Sequence, residues 1–130
     1  MDLSEPKQRP NRETTILVAD DDSAVLSFLA DVLRRHEFSV VTASDGAQAL
    51  DRARDHGDRI DLLLTDFEMP HMNGIQLAAT IRQFLPHIVV ILMSGSSSKD
   101  AVTGGASMFL RKPFTPPVLL ETIAGLLGGS

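Results

Sequence analysis

Apolar and polar positions divide the chain into two kinds of segment. Short runs rich in aliphatic and β-branched residues predict strands at residues 14–19, 39–43, 60–66, 87–94 and 107–111. Between most of these runs, apolar residues recur every three or four positions, which is typical of amphipathic helices. Strands that alternate with helices predict an α/β fold with a parallel sheet joined by right-handed crossovers.

Three of the predicted helices have clear apolar stripes, which we expect to face the core. The stripes are Val25, Phe28, Leu29, Val32 and Leu33; then Leu77, Ala78, Ile81, Phe84 and Leu85; and last Leu119, Leu120, Ile123, Leu126 and Leu127. A further helix is predicted over about 47–56, with Gly57 after its end. Residue types favoured at helix starts predict N-caps at Asp22, Asn73 and Thr115, while Pro86 should end the third helix.

Composition narrows the class of protein. The chain has 130 residues, which suits one domain with a single core, and its net charge of −5 disfavours direct nucleic-acid binding. It has no cysteine, which excludes disulfides and thiolate metal sites. No apolar run approaches the roughly 20 residues of a spanning helix, and no secretory signal is visible. We therefore expect a cytoplasmic protein without a membrane partner.

The domain limits follow from the same pattern. Residues 1–13 hold two prolines and many charges, and we predict a flexible N-terminal tail there. The alternating pattern extends over residues 14–127, which we predict to be one folded domain. Residues 128–130, Gly-Gly-Ser, are predicted to be a C-terminal tail.

Polar side chains follow the strands at the edge where open α/β sheets place their ligands. In a parallel sheet that edge would hold six of them: Asp20, Asp21, Asp22, Asp66, Ser94 and Lys112. Carboxylates about 4 Å apart repel by roughly 4 kcal/mol at an effective dielectric near 20, so this cluster needs a cation or protonation. Oxygen ligands suit Mg²⁺, which takes one or two carboxylates together with phosphate and water. The residues therefore predict a Mg²⁺ site built around phosphate.

Asp66 is the best candidate for the reacting group. It closes an apolar strand and opens a loop that contains Pro70 and Gly74, which stiffen and turn the backbone behind it. A carboxylate can accept a phosphoryl group and form an aspartyl phosphate. Lys112 would supply a fixed cation for the developing charge, and the Ser94 hydroxyl could donate to a phosphate oxygen. No glycine-rich loop follows the first strand, which disfavours nucleotide binding there.

Four segments resemble the receiver domain of two-component response regulators. They are ILVADDD, LLLTDFEMPHMNG, VVILMSG and FLRKPF, in this order and each on the expected element, within about residues 14–127. The resemblance implies a doubly wound, five-stranded parallel sheet of flavodoxin-like order 2-1-3-4-5 in a three-layer α/β/α arrangement. It also implies Mg²⁺ as the cofactor and a histidine kinase or phosphotransfer protein as the partner, with a downstream effector protein as a possible second partner.

The resemblance assigns a role to each site residue. Asp66 would be the phospho-acceptor, with Lys112 and Ser94 assisting the transfer. Metal ligands would be Asp21, Asp66 and the backbone carbonyl of Glu68, with Asp20 acting through water. Ser94 and Phe109 would form the switch pair, and the Lys112–Pro113 peptide bond is expected to be cis.

One departure from the family pattern concerns the output of the switch. The span between Ser94 and Lys112 is shorter than is usual in the family, and it is rich in serine and glycine. A short isolated helix is marginally stable, so we expect the fourth helix to be shortened or disordered. Serine and phenylalanine at the switch positions, in place of the more frequent threonine and tyrosine, are read as tolerated variants.

The predicted function is a phosphorylation-dependent signalling switch that catalyses only its own phosphotransfer and dephosphorylation, and not a turnover enzyme. One alternative is an interaction module in which the shortened segment has uncoupled phosphorylation from output. Another is an aspartate-nucleophile phosphatase of the haloacid-dehalogenase kind. In that class the nucleophile follows the first strand, so Asp20 would be the reacting group, and the chain lacks residues for a substrate cap.

Overall fold

The structure, a computed structural model, describes residues 14–95 and 106–128. Its strands are β1 Thr15–Ala19, β2 Ser39–Ala43, β3 Ile60–Asp66, β4 Val89–Ser94 and β5 Met108–Arg111. Its α-helices are α1 Ser23–Arg35, α2 Gly46–His56, α3 Gly74–Arg82 and a C-terminal helix, Pro116–Leu126. A 3₁₀ turn, Gly57–Arg59, joins α2 to β3.

All strand pairs are parallel, in the order β2-β1-β3-β4-β5. The predicted doubly wound sheet is therefore confirmed, as is its strand order. The expected shortened or disordered fourth helix falls within residues 96–105, and the expected N-terminal tail is residues 1–13; both lie outside the described residues. The predicted domain limits remain predictions. Within the described part of the chain, no helix is long and apolar enough to cross a membrane.

The sheet has a separate apolar layer on each face. Leu63 and Leu92 pack on the side of α2 and α3, in one cluster of buried residues. Leu62 and Leu64 alternate to the other face, where α1 and the C-terminal helix cover them. The central strands are thus apolar on both faces, as expected for a parallel sheet covered by helices. Each fully buried leucine contributes about 2 kcal/mol, so these layers hold the strand ends firmly in place.

The predicted caps are found at the helix ends. The Asp22 carboxylate accepts hydrogen bonds from the backbone N–H groups of Ala24 and Val25 at the start of α1. Asn73 forms a capping box with Gln76 at the start of α3, and Thr115 caps the C-terminal helix before Pro116. Gly57 ends α2 with a φ of 55°, a conformation that favours glycine.

Two predicted core residues are on the surface instead. Phe28 is 51% exposed, because α1 turns Leu29, Ala30, Val32 and Leu33 toward the core and leaves the margin of the predicted stripe outside. Phe84 is 36% exposed and lies beyond α3, which ends at Arg82 and not at Pro86. The guanidinium of Arg54 lies 5.5 Å from the Phe84 ring centre. The prediction that both phenylalanines belong to the core was wrong.

Two arginines cover the open edge of β2. Arg34 Nη2, from α1, donates to the carbonyl of Val40 over 3.3 Å. Arg52 Nε, from α2, donates to the carbonyl of Thr42 over 3.2 Å. The two helices lie on opposite faces of the sheet, so the edge strand is covered from both sides. Charged side chains on an edge strand disfavour its pairing with a strand of another molecule.

Candidate functional site

Three aspartates converge at the carboxyl edge of the sheet. Asp20 and Asp21 follow β1, and Asp66 is the last residue of its neighbour β3. One carboxylate oxygen from each residue lies within 4.8 Å of the others. Asp20 is fully buried, Asp66 is 7% exposed and Asp21 is exposed. The cluster therefore runs from the protein interior to the solvent.

Lys112 reaches into this cluster from the end of β5. Its Nζ lies 3.0 Å from Asp20 Oδ2 and 3.4 Å from Asp66 Oδ1. The Lys112–Pro113 peptide bond is cis, as the resemblance implied. The predicted order of the strands therefore placed Lys112 and the three aspartates at the correct edge of the sheet. It did not identify Asp20 as the nearer partner of the lysine, because side-chain direction is not visible in the order of strands.

Backbone hydrogen bonds connect the chain at Asp66 and at Lys112 to the end of β4. The Phe67 N–H, directly after Asp66, donates to the carbonyl of Met93 over 2.8 Å. The Lys112 N–H donates to the carbonyl of Ser94, also over 2.8 Å. Two successive carbonyls of one buried strand therefore set the positions of Asp66 and Lys112 relative to each other.

The loop after Asp66 (residues 67–73, the acceptor loop) is tightly folded. The Met72 N–H donates to the Pro70 carbonyl over 2.7 Å, and His71 between them has a φ of 68°. At its end, Gly74 approaches the strand so closely that a Cβ there would lie 2.5 Å from the carbonyl oxygen of Asp66. Glycine is needed at this position. The sequence indicated a turn here, but not this close approach to the strand.

Burial and charge shape the ionisation of the site. Burial, together with the charge of Asp20, raises the pKa of Asp66, although Lys112 and the Glu68 backbone act in the opposite direction. Burial disfavours the charged form of Lys112, but the hydrogen bond and charge of Asp20, with those of Asp66, outweigh it and raise the pKa of the lysine. Lys112 therefore stays charged, and three carboxylates face one cation.

The remaining predicted site residues lie around this centre. Ser94 is fully buried at the end of β4, and Glu68 is exposed in the acceptor loop. Phe109 is half-buried and packs against the core on the side of α2 and α3. Asp22, the sixth residue expected at this edge, caps α1, as its residue type predicted. The switch roles of Ser94 and Phe109 remain predictions.

Mg²⁺ suits the donor set that these residues offer. The donors are carboxylate oxygens within 4.8 Å of one another, and one of the three residues is open to solvent. A hard cation that binds few carboxylates and keeps water ligands matches this arrangement. Lys112 alone leaves the cluster with excess negative charge, which a divalent ion would offset.

The fold and the site together define a class: a doubly wound domain with an acidic cluster and a lysine at the carboxyl edge of its sheet, as in phospho-accepting signalling domains. The chain belongs to the response regulator receiver domain family, whose model matches residues 16–124. This confirms the family predicted from the four motifs. At the level of the family it also confirms a phosphorylation-dependent signalling switch.

Similar proteins and structures agree with this assignment. The chain is 40% identical over 115 residues to the transcriptional regulatory protein CpxR of Escherichia coli (strain K12), covering 86% of this chain and 48% of that protein. It is 36% identical to the DNA-binding response regulator MtrA of Mycolicibacterium paratuberculosis, with coverage of 86% and 50%. The chain thus spans about half the length of these curated relatives.

Two solved structures show the same fold. A receiver domain protein from Clostridium thermocellum has a TM-score of 0.79 at 30% identity, with coverage of 86% of this chain and 92% of that one. The response regulator TrrA from Thermotoga maritima, solved in complex with Mg²⁺ and BeF, has a TM-score of 0.78 at 28% identity, with coverage of 87% and 98%.

Proposed function

We propose that Asp66 accepts a phosphoryl group from a phosphohistidine on a histidine kinase or phosphotransfer protein. The observation that carries the proposal is the position of Asp66, 3.4 Å from the Lys112 ammonium and at the margin of the acidic cluster. Asp66 is 7% exposed, so an incoming phosphoryl group has to reach it from the surface through the open side of the site. Burial leaves the charge of this carboxyl poorly solvated and raises its pKa.

The transfer is a nucleophilic displacement at phosphorus. A carboxylate oxygen of Asp66 attacks, the bond from phosphorus to the imidazole nitrogen breaks, and its electron pair stays on the donor histidine. The product is an acyl phosphate on Asp66. Lys112, held by Asp20, is placed to stabilise the negative charge on the phosphoryl oxygens, and the Ser94 hydroxyl would donate to one of them. Hydrolysis of the acyl phosphate in the same site would reset the switch.

The proposed metal ligands are Asp21, Asp66 and the backbone carbonyl of Glu68, with Asp20 acting through water. When bound there, Mg²⁺ would neutralise part of the charge on the phosphoryl group. Asp21 is exposed and so can exchange water for metal without opening the core. The Glu68 carbonyl lies in the acceptor loop, whose fold is fixed by its hydrogen bonds at Met72 and Gly74.

The proposed output acts through Ser94 and Phe109, on a downstream effector protein in the cytoplasm. CpxR and MtrA are named as transcriptional and DNA-binding regulators, but this chain corresponds to only about half of each. Because the net charge of the chain is −5, we assign no nucleic-acid binding to the part of the protein described by this sequence.

A phosphatase that uses Asp20 as its nucleophile is poorly supported by the same geometry. Asp20 is fully buried, and its Oδ2 is paired with Lys112 at 3.0 Å. Its Oδ1 accepts the N–H of Asp22 over 2.9 Å. Both oxygens are therefore engaged, whereas the exposed side of the cluster leads to Asp66.

Intact mass spectrometry can test the proposal. The protein is incubated with Mg²⁺ and acetyl phosphate, and we expect a mass increase of one phosphoryl group that is lost in base. Asp66→Asn should abolish the adduct, whereas Asp51→Asn, at an exposed aspartate of α2, should retain it. No adduct on the wild type, or an equal adduct on Asp66→Asn, contradicts the proposal.

A further inference from the structure

The first turn of α2 packs against the acceptor loop with almost no space between them. Gly46 is the first residue of α2 and is buried. A Cβ at this position would lie 3.0 Å from both Cβ and Sδ of Met72, and 3.3 Å from its Cγ. Such distances are shorter than ordinary van der Waals contact, and one of them involves the Cβ of Met72, which cannot move without the backbone. A larger residue at position 46 must therefore shift the loop or the helix.

The loop side of this contact has little freedom. Met72 is half-buried and packs against the core on the side of α2 and α3. Its N–H bonds to Pro70 across His71, and the next residue, Asn73, caps α3. Gly74 then lies against the carbonyl of Asp66. A displacement of Met72 is thus passed along the loop, in one direction to α3 and in the other to Glu68.

The helix side is equally constrained. The Asp45 carboxylate accepts the Gln48 N–H over 2.7 Å, and the Gln48 side chain accepts the Ser44 N–H over 2.9 Å. Behind this cap, Ala49 and Ala53 are fully buried against the sheet. These bonds make the first turn of α2 rigid, and a retreat of the helix from the loop would open space around the alanines, so the loop is the part that must yield.

We propose that Gly46 is a positioning residue for the phospho-acceptor site. The close contact of Gly46 with Met72 holds the acceptor loop, and with it the Glu68 carbonyl, in the conformation described above. The inference rests on the proposed function, in which this carbonyl and Asp66 bind Mg²⁺. The first turn of α2 carries no ligand itself, yet its position should set the affinity for the metal.

The test measures the Mg²⁺ dissociation constant of the unphosphorylated protein by isothermal titration calorimetry. Gly46→Ala is expected to weaken Mg²⁺ binding roughly fivefold, the size of a typical coupling between residues in contact. Met72→Ala removes the side-chain atoms beyond Cβ on the loop side of this contact and should also weaken Mg²⁺ binding. Met72→Ala keeps its Cβ, which would still lie 3.0 Å from a Cβ at position 46, so Gly46→Ala should weaken binding further in the Met72→Ala background, but by a smaller factor than in the wild type.

Gly125→Ala is the matched control. Gly125 lies in the C-terminal helix, and a Cβ there would meet no atom within 4 Å. This change should leave the Mg²⁺ dissociation constant unaltered and should not reduce the free energy of unfolding. Urea unfolding of every variant in EDTA separates positioning from stability, because a purely structural contact would change the midpoint and leave metal affinity intact.

The outcomes distinguish this inference from the proposed function. If the wild type neither binds Mg²⁺ nor forms the phosphoryl adduct, the proposed function fails. If the wild type binds Mg²⁺ and Gly46→Ala binds it equally well, only the positioning role is overturned. Should Gly46→Ala fail to fold, Met72→Ala decides alone, and wild-type affinity in that variant overturns the inference.

Discussion

Lys112 Nζ lies closer to Asp20 Oδ2, at 3.0 Å, than to Asp66 Oδ1, at 3.4 Å. The nearer partner is fully buried, whereas the more distant one is the proposed acceptor. In the proposed reaction, Lys112 would therefore be anchored by a carboxylate other than the acceptor. Its ammonium would stay in place while Asp66 takes up the phosphoryl group.

Removing this ammonium should destabilise the unphosphorylated protein. In Lys112→Met, the buried Asp20 carboxylate and its neighbour Asp66 lose their only nearby cation among the described residues. We expect a loss of about 2 kcal/mol, below the full value for a buried pair because the lysine side chain is itself partly exposed. Urea unfolding in EDTA measures it. Arg111→Met, at the exposed preceding residue, is the control, and equal midpoints for the two variants would contradict the prediction.

Asp66→Asn should stabilise the protein in the absence of metal. Burial and the charge of Asp20 raise the pKa of the Asp66 carboxyl, so its ionised form is disfavoured in the folded state. Replacing it with a neutral amide should raise Tm by about 4 °C, which corresponds to about 1 kcal/mol for a domain of this size. Thermal unfolding at pH 7 in EDTA provides the measurement, with Asp51→Asn as the control.

The stabilisation by Asp66→Asn should also depend on pH. A raised carboxyl pKa gives stability that is present below the unfolded pKa, near 3.8, and is lost as pH rises through the folded value. The difference in Tm between Asp66→Asn and the wild type should therefore be smallest near pH 4 and reach its full size at neutral pH. A difference that is constant across this range would mean that ionisation of Asp66 is not the cause.

Replacing His71 with glycine should stabilise the folded protein. Its φ of 68° places a residue with a Cβ in the left-handed region, and the i to i+2 turn around it is of the strained kind. We expect His71→Gly to increase the free energy of unfolding by about 0.5 kcal/mol. This value is the backbone strain relieved in the folded state minus the cost of the greater conformational entropy of glycine in the unfolded state. Glu37, far from the site, has a φ of 70° and provides a matched comparison. A loss of stability in His71→Gly alone would show that its side chain has a role in the loop.

The sequence predicted much of this molecule because its local patterns and its tertiary packing agree. Asp22, Asn73 and Thr115 cap the helices as expected, since side-chain caps depend on residues only two or three positions away. Phe84 was assigned to the core wrongly because α3 ends at Arg82, before this residue. Phe28 was assigned wrongly because the margin of an apolar stripe depends on how the helix is rotated against the sheet. That rotation is decided by long-range packing, which periodicity does not contain.

The site also combines features that the sequence predicts with features that depend on long-range packing. The order of the strands was enough to bring Asp20, Asp21, Asp66 and Lys112 to one edge. The preference of Lys112 for Asp20 and the contact between Gly46 and Met72 depend on distances of a few tenths of an ångström. No spacing along the chain encodes such distances. They arise from the twist of the sheet and the packing of α2.

Exposing the edge of β2 should promote self-association. In the double variant Arg34→Ser, Arg52→Ser, the carbonyls of Val40 and Thr42 lose their side-chain donors. An uncovered edge strand can pair with another copy of the chain, so we expect dimers or larger species in sedimentation velocity at high protein concentration. Arg35→Ser, Arg59→Ser makes the same change in charge away from this edge and should remain like the wild type. Identical sedimentation of the two double variants would contradict the role of the edge arginines.

Because the Lys112 N–H donates to the Ser94 carbonyl, the position of Lys112 in the site does not depend on the length of chain that joins these two residues. The register of β4 and β5 alone sets where the lysine emerges. Residues can be gained or lost between the two strands at a cost that grows slowly, about 0.6 kcal/mol for each doubling of a flexible connection. The length of that stretch can therefore change between one protein and another while the geometry of the strand ends is kept.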